Sequence, residues 1–185
     1  MSLIDPRGSV LVLVDFQGRL LPAIHGGSEV LARAVLLADA ARELGIAIYG
    51  TEQNPSGLGP NDEAVRSRCD TILPKMHFNA CSDGLAQMLR LPDGTAPTEV
   101  VIAGCEAHVC LLQTAEGLLQ AGFLVRVVAD ASGSRRVADH ALAMQRLDAA
   151  GATIVSTEMV VFEWLETCRH ARFRPVLRLL KKPVG

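Results

Sequence analysis

The stretch EVVIAGCEAHVCLLQTAEGLLQAG, residues 99–122, changes from one hydrophobic pattern to another. Its first part, Glu99–Gly104, is a short apolar run rich in β-branched residues, which is typical of a strand covered on both faces. Its second part carries apolar residues at helical spacing up to a glycine: Leu111, Ala115, Leu118, Leu119 and Gly122. A glycine at that position can adopt the left-handed conformation that closes a helix. The stretch therefore predicts one strand-helix unit of an α/β protein.

The same unit is repeated along the chain. Similar apolar runs predict six buried strands, at 9–16, 46–51, 71–73, 99–104, 124–130 and 152–156. Helical patterns between them end at glycines, as at Gly45 and Gly151. Strand-helix-strand connections are right-handed and place strands parallel, so helices should cover both faces of the sheet. We expect one α/β domain over residues 1–185, with three α/β/α layers and a six-stranded, mainly parallel sheet.

Composition restricts the classes of partner. The chain has 185 residues, a formal net charge of −2 and no block of basic residues, so we expect no nucleic acid partner. Its hydrophobic fraction is 49%, yet no apolar run reaches the ~18 residues that a membrane span needs, so we expect no membrane partner. The start of the sequence lacks the pattern of a signal peptide, which favours a cytoplasmic location. The expected partner is a small-molecule substrate.

The cysteines and histidines are scattered. The five cysteines are odd in number and form no CxxC pair, which favours reduced thiols over a disulfide framework. The five histidines show no spacing typical of a metal site. We therefore expect no metal and no cofactor, although residues distant in sequence can still assemble a site.

Three chemically reactive side chains follow predicted strands: Asp15, Lys75 and Cys110. An acid such as Asp15, at the end of an apolar run, is costly to bury unless it is paired, although it could also cap a turn. A lysine in the position of Lys75 is usually solvated, and a free cysteine is often buried packing. Cys110, however, stands at a predicted helix amino terminus, where the helix dipole stabilises a thiolate. The residues alone leave both the structural and the catalytic interpretation open.

Three segments carry a family resemblance. VLVDFQ (12–17), KMHFNACSD (75–83) and GCEAHVCLLQTAEGLLQAGF (104–123) resemble the signature regions of the isochorismatase-like cysteine hydrolase superfamily. TEQNPSGLG (51–59) and VVADASGSR (127–135) are most similar to its isochorismatase domain-containing branch. The resemblance extends in order over most of the chain and implies a Rossmann-like sheet.

The resemblance also implies a catalytic triad. Asp15 would take the thiol proton and later deliver it to the leaving group, and the charge of Lys75 would favour the thiolate. Cys110 would attack a carbonyl carbon and form an acyl-enzyme. The resemblance further implies a cis peptide bond between Cys105 and Glu106, an oxyanion hole made by the backbone N–H groups of Glu106 and Cys110, and self-association into a homo-oligomer.

Other residues are candidates for substrate contact. The loop 51–60 follows the carboxyl end of a predicted strand, where ligands bind in open α/β sheets, and it contains Glu52 and Gln53. Phe16 and Phe78 would form an apolar wall, unless they are core packing. His108 would lie at the rim of the pocket. Metal-binding nicotinamidases carry an aspartate and histidines in the loop after the second strand, but residues 51–60 contain no histidine, so no catalytic metal is expected.

The leading hypothesis is a metal-independent cysteine hydrolase that cleaves a small amide, ureido or related C–N substrate. One alternative is isochorismate-type vinyl-ether hydrolysis with Asp15 as the acid. Another is a protein without catalysis that binds, assembles or responds to oxidants through a thiol. The basic, weakly amphipathic tail at 169–185 predicts a helix that caps the fold or packs on a partner subunit.

Overall fold

The computed structural model describes residues 2–181. Its centre is a six-stranded sheet in the order β3-β2-β1-β4-β5-β6, with every neighbouring pair parallel. The strands are β1 Ser9–Val14, β2 Ile48–Gln53, β3 Thr71–Lys75, β4 Glu99–Gly104, β5 Leu124–Val128 and β6 Thr153–Val155. The predicted α/β class and the six-stranded sheet are confirmed, and the sheet is entirely parallel.

Eight α-helices fall within residues 2–181: α1 Gly27–Leu44, α2 Pro55–Leu58, α3 Glu63–Arg66, α4 Leu85–Met88, α5 Leu112–Gln120, α6 Val137–Ala149, α7 Thr157–Leu165 and α8 Phe173–Leu180. Buried side chains of α1, α7 and α8 pack with Leu11 and Leu13 of β1. Buried side chains of α5 and α6 pack with Val10, Val12 and Val14 of the same strand. Since alternate residues of a strand face opposite sides of a sheet, the helices form two layers with the sheet between them.

The carboxyl ends of β1, β2, β3 and β5 differ from the prediction. β1 ends at Val14 because Asp15 takes a left-handed backbone conformation, with φ of 55°, and the chain turns away. β2 and β3 each continue two residues further, to Gln53 and Lys75, because the strands pair with each other up to those positions. β5 ends at Val128, where a 3-10 turn begins. Each difference places a polar side chain at the carboxyl edge of the sheet.

The order of the strands determines where a ligand can bind. From β1 the chain proceeds to β2 and β3 on one side, and then β4 returns to the other side of β1. The crevice between the carboxyl ends of β1 and β4 is therefore the topological switch point, where open α/β sheets bind ligands. The segments that follow these two strands contain Asp15 and Cys110.

The tail forms α8, whose Val176 is fully buried against the same core as α1 and α7. Up to residue 181, the tail is therefore a helix that caps the fold, as one of the two predictions for it stated. The last part of the predicted tail, 182–185, lies outside the described residues. Among residues 2–181, no helix is both long and apolar enough to cross a membrane.

Candidate active site

Asp15 is the first polar side chain after β1 and is fully buried. Its Oδ1 accepts a 2.6 Å hydrogen bond from Thr51 Oγ1, and its Oδ2 lies 2.8 Å from Lys75 Nζ. Asp is one of the few residue types that adopt the left-handed conformation found here. The cost of burying this carboxylate is thus offset by a hydrogen bond and an opposite charge.

Lys75 is the last residue of β3, and its side chain has no solvent exposure. Besides the contact with Asp15, Nζ donates to Gln53 Oε1 at 2.6 Å and lies 3.3 Å and 3.4 Å from the carbonyl oxygens of His77 and Phe78. A buried ammonium is tolerated only when its three protons find acceptors, and the surroundings of Lys75 supply them. The lysine is therefore an interior ion-pair partner and not a solvated strand end.

Cys110 lies in a π-helical turn, Ala107–Leu111, that leads directly into α5. Its Sγ is 4.0 Å from Gln53 Oε1. Burial, reinforced by the negative charge of Asp15 and by hydrogen bonding to it, raises the pKa of the Cys110 thiol to about 12, while Lys75 acts in the opposite direction. The three predicted residues thus come together around the end of Gln53.

The raised pKa corrects one expectation. The sequence predicted a thiolate stabilised by the helix amino terminus and by Lys75. In the structure, burial of the thiol and its interaction with Asp15 raise the thiol pKa by more than the charge of Lys75 lowers it. Near neutral pH, Cys110 is therefore a protonated thiol.

The approach to Cys110 contains the expected cis peptide bond between Cys105 and Glu106. Just after this bond, the carbonyl oxygen of Glu106 accepts hydrogen bonds from the N–H groups of Val109 and Leu111. Within residues 2–181, the N–H of Glu106 donates to no protein acceptor in the hydrogen-bond network. Of the two groups expected to bind an oxyanion, the N–H of Glu106 is therefore unoccupied.

A segment after β5 holds this approach in place. Ala107 N–H donates to Gly133 O at 2.7 Å, and His108 Nδ1 lies 2.9 Å from Ser134 Oγ. Arg135 forms an ion pair with the Glu106 carboxylate. The half-buried His108 therefore contacts the segment after β5, consistent with a position at the rim.

Asp130 lies on the same segment, in a 3-10 turn, and its Oδ1 accepts hydrogen bonds from the N–H and Oγ1 of Thr157, the first residue of α7. Asp130 therefore links this segment to the start of α7.

The predicted substrate contacts separate into two groups. Gln53 accepts a hydrogen bond from Lys75, and the carbonyl oxygen of Phe78 lies 3.4 Å from the same ammonium while the Phe78 side chain is half-exposed. Phe16 is fully buried in the core on the α1 side of the sheet, so the expectation that it contacts substrate is corrected to core packing. Glu52 is also buried, and its carboxylate accepts hydrogen bonds from Asn61 N–H and Arg66 Nε.

Two polar residues of the site were missed by sequence reasoning. Thr51 holds one oxygen of Asp15, and the fully buried Gln17 bonds to the backbone of Gln53. Both lie close in sequence to noted motifs, but their contacts depend on the pairing of β1 with β2. No sequence pattern marked them as members of a site.

Among residues 2–181, no group of three or more His, Cys, Asp and Glu side chains is arranged to hold a metal ion. A separate cavity of about 300 Å³ is lined by residues including His25, Glu29, Arg136 and His140. It shares Ser134 with the segment that contacts His108, but none of the three reactive residues lines it.

Comparison with known proteins supplies independent information. Residues 9–159 match the family model of the isochorismatase domain. Isochorismatase domain-containing protein 2 of Danio rerio is 32% identical over 180 residues, covering 97% of this chain and 90% of the relative. A structure described as the MAR1 ribonuclease of Caenorhabditis elegans superposes with a TM-score of 0.89 at 30% identity, over 100% of this chain and 95% of that one.

A more distant structure shares the fold. The YcaC gene product of Escherichia coli, described as an octameric hydrolase of unknown specificity, has a TM-score of 0.83 at 22% identity. The superposition covers 96% of each chain.

Proposed function

The chain belongs to the isochorismatase family, and from that premise we propose that it is a metal-independent cysteine hydrolase that cleaves a small amide, ureido or related C–N substrate. The observation that supports this most directly is the buried ion pair between Asp15 Oδ2 and Lys75 Nζ, at 2.8 Å, near enough to the Cys110 thiol for both residues to change its pKa. A nucleophile, a base and a charge that orients the base are the parts that covalent catalysis needs.

In the first half of the reaction, Cys110 Sγ attacks the carbonyl carbon of the substrate while Asp15 takes the thiol proton. The negative charge that develops on the carbonyl oxygen is bound by the N–H groups of Glu106 and Cys110. Asp15 then donates the proton to the leaving nitrogen. The C–N bond breaks, the amine departs, and a thioester of Cys110 remains.

In the second half, water attacks the thioester carbonyl and gives a proton to Asp15. The C–S bond breaks, the acid is released, and the proton on Asp15 returns to the sulfur. Lys75 stays charged throughout and keeps the carboxylate of Asp15 in position. Because the pKa of the Cys110 thiol is raised, the sulfur is still protonated when substrate binds. The attack therefore requires Asp15 to remove this proton.

The test is a panel of small amides and ureido compounds with ammonia or amine release as the signal. We expect turnover by the wild-type chain, with an initial burst of released amine if hydrolysis of the thioester is slow. Cys110→Ala should reduce kcat by a factor of roughly 10⁴ or more, because the nucleophile is lost. Cys168→Ala is the matched control, since Cys168 is an exposed thiol. Full activity of Cys110→Ala would contradict the proposal.

A second candidate is ether hydrolysis with Asp15 as the acid. It is supported by the family and by the protonated state of Cys110, because that reaction needs no thiolate. The two candidates are separated by the same variants. Ether hydrolysis predicts that Asp15→Asn is inactive while Cys110→Ala still turns over, whereas the cysteine mechanism requires both residues.

An RNA oligonucleotide belongs in the substrate panel because one similar structure is described as a ribonuclease. Our proposal is a small substrate, in keeping with a net charge of −2, which gives no electrostatic attraction to a phosphate backbone. Cleavage of the oligonucleotide by wild type but not by Cys110→Ala would replace the proposed substrate class.

We also propose that the protein forms a homo-oligomer. The octameric description of YcaC supports this only through the shared fold. Sedimentation velocity over a range of protein concentrations should show a species larger than the 19.7 kDa chain. A monomer at every concentration would exclude self-association.

A further inference from the structure

The residue that completes the site is Gln17, whose side chain is fully buried. β1 pairs with β2 up to Val14 and Thr51, and Asp15 N–H still donates to Thr51 O at 3.2 Å. The left-handed turn at Asp15 then takes the backbone of β1 away from β2. The next groups of β2 that face β1, which are the N–H and C=O of Gln53, therefore have no strand partner there.

The side-chain carboxamide of Gln17 lies beside β2 where the backbone of β1 would otherwise continue the hydrogen bonding. Its Oε1 accepts the N–H of Gln53 at 2.9 Å, and its Nε2 donates to the carbonyl oxygen of Gln53 at 2.9 Å and to Gly59 O at 2.6 Å. A primary amide has the same donor and acceptor as a peptide group, so it can continue the pairing after the backbone has left. The backbone of Gln17 is itself held by a bridge to Asn61.

The other side of Gln53 faces the reactive groups. Its Nε2 donates to Met76 O at 2.9 Å, and its Oε1 accepts from Lys75 Nζ at 2.6 Å and lies 4.0 Å from Cys110 Sγ. The position of Gln53 therefore sets where the ammonium sits between Asp15 and Cys110. Its backbone is fixed on the β3 side by the pairing with Lys75 and on the β1 side by the carboxamide of Gln17.

We propose that Gln17 is a positioning residue of this site: its carboxamide replaces the missing strand and holds Gln53, and through Gln53 the Lys75 ammonium, against Cys110. Its side-chain hydrogen bonds go to the backbone of Gln53 and Gly59, so its effect on the ammonium passes through Gln53. The catalytic part of this inference rests on the proposed hydrolase function, but the effect on the thiol does not.

The main test uses Gln17→Met, which keeps the size of the side chain and removes its hydrogen bonds. The control is Val176→Ala, which lowers stability at a fully buried position of α8, a helix that packs on α1 and α7. On any amide that wild type hydrolyses, Gln17→Met should lower kcat roughly ten- to a hundredfold, because a small misplacement of catalytic groups is costly. KM should change far less, and Val176→Ala should leave both constants near wild type.

The second readout needs no substrate. Alkylation of Cys110 by iodoacetamide, followed by mass spectrometry of the peptide, reports how strongly the ammonium acts on the thiol. Lys75 favours the thiolate, so in Gln17→Met the labelling rate at about pH 9 should fall roughly three- to tenfold. The same substitution in a Lys75→Met background should have little further effect, because the two residues act in series.

The outcomes are distinct. The inference is overturned if Gln17→Met leaves the labelling rate of Cys110 unchanged. It is also overturned if Gln17→Met changes that rate equally in the wild-type and Lys75→Met backgrounds. Both results hold whether or not any amide is hydrolysed. If Gln17→Met lowers the labelling rate only when Lys75 is present, the role of Gln17 is supported. If the wild-type chain also hydrolyses no amide, the proposed function is contradicted at the same time. If Gln17→Met does not fold, Gln17→Glu is measured in the same way, since its carboxylate keeps the acceptor for Gln53 N–H and loses both donated bonds.

Discussion

Cys110 was identified as a candidate nucleophile from the sequence, but the protonation state of its thiol was not. Its place after a strand and before a helix marked it as a candidate nucleophile, and the same place suggested a stabilised thiolate. The thiol is instead buried beside Asp15, which lies 95 positions earlier in the sequence. Burial and a neighbouring negative charge both penalise the thiolate, and they outweigh a favourable helix end.

The raised pKa predicts the pH dependence of labelling. For Cys110, the rate of reaction with iodoacetamide should keep rising with pH until about 12, because only the thiolate reacts and the thiol pKa is about 12. A blocked peptide with one cysteine, whose thiol pKa is ~8.5, should reach its plateau far earlier and serves as the reference. A plateau for Cys110 near or below that of the reference would show that the thiolate is favoured in the folded protein.

Two of the strands that build the site, β1 and β4, flank the switch point with their carboxyl ends. Gly104, the last residue of β4, faces Val14 across the sheet. A Cβ at Gly104 would clash with the carbonyl oxygen and the Cβ of Val14, the latter at 2.5 Å. The close approach of these two strands at their ends thus requires a residue without a side chain at 104.

Gly104→Ala should therefore lower the free energy of unfolding by about 1–3 kcal/mol, since the contact involves backbone that cannot rotate away. It should also lower activity, because the shift falls between Asp15 and the approach to Cys110. Gly18→Ala is the control: no atom lies within 4 Å of its Cβ position, and its stability should stay within about 0.5 kcal/mol of wild type. Urea unfolding measures both, and equal stability of the two variants would argue against the clash.

On the scale of the whole molecule, buried thiols make the folded state sensitive to alkali. Burial is the largest cause that raises the pKa of Cys69 and Cys110 to about 12, and it raises that of Cys105 as well, from an ordinary value of 9.0. Below pH 9 both the folded and the unfolded chain keep these protons. Above it, the unfolded chain loses them first, so folding becomes less favourable as the pH rises toward 12.

The free energy of unfolding should therefore decrease between about pH 9 and 12, by at most about 1.4 kcal/mol per pH unit for each thiol. Cys69→Ala, which removes a thiol away from the site, should make that decrease less steep. Other ionising groups are common to both proteins and cancel in the comparison. Denaturant unfolding at several alkaline pH values gives the two slopes, and identical slopes would contradict the assignment to Cys69.

Local pattern determined most of the fold. The period and length of the apolar runs depend on neighbouring residues, so six strands, the helices between them and their parallel arrangement could be predicted before any contact was known. The same patterns placed Asp15, Lys75 and Cys110 after predicted strands. Strand ends were less accurate, because pairing between β2 and β3 decides where those strands stop.

Only the tertiary structure decided how these residues act on one another. The ion pair of Asp15 with Lys75, the protonated state of Cys110 and the bonds from Gln17 to Gln53 all join residues that are far apart in sequence or depend on strand register. Burial likewise separated Phe16, a core residue, from Phe78, an exposed one. Residue type and spacing determine which groups are available, whereas distance and solvent exclusion, which set their charges and partners, exist only once the chain has folded.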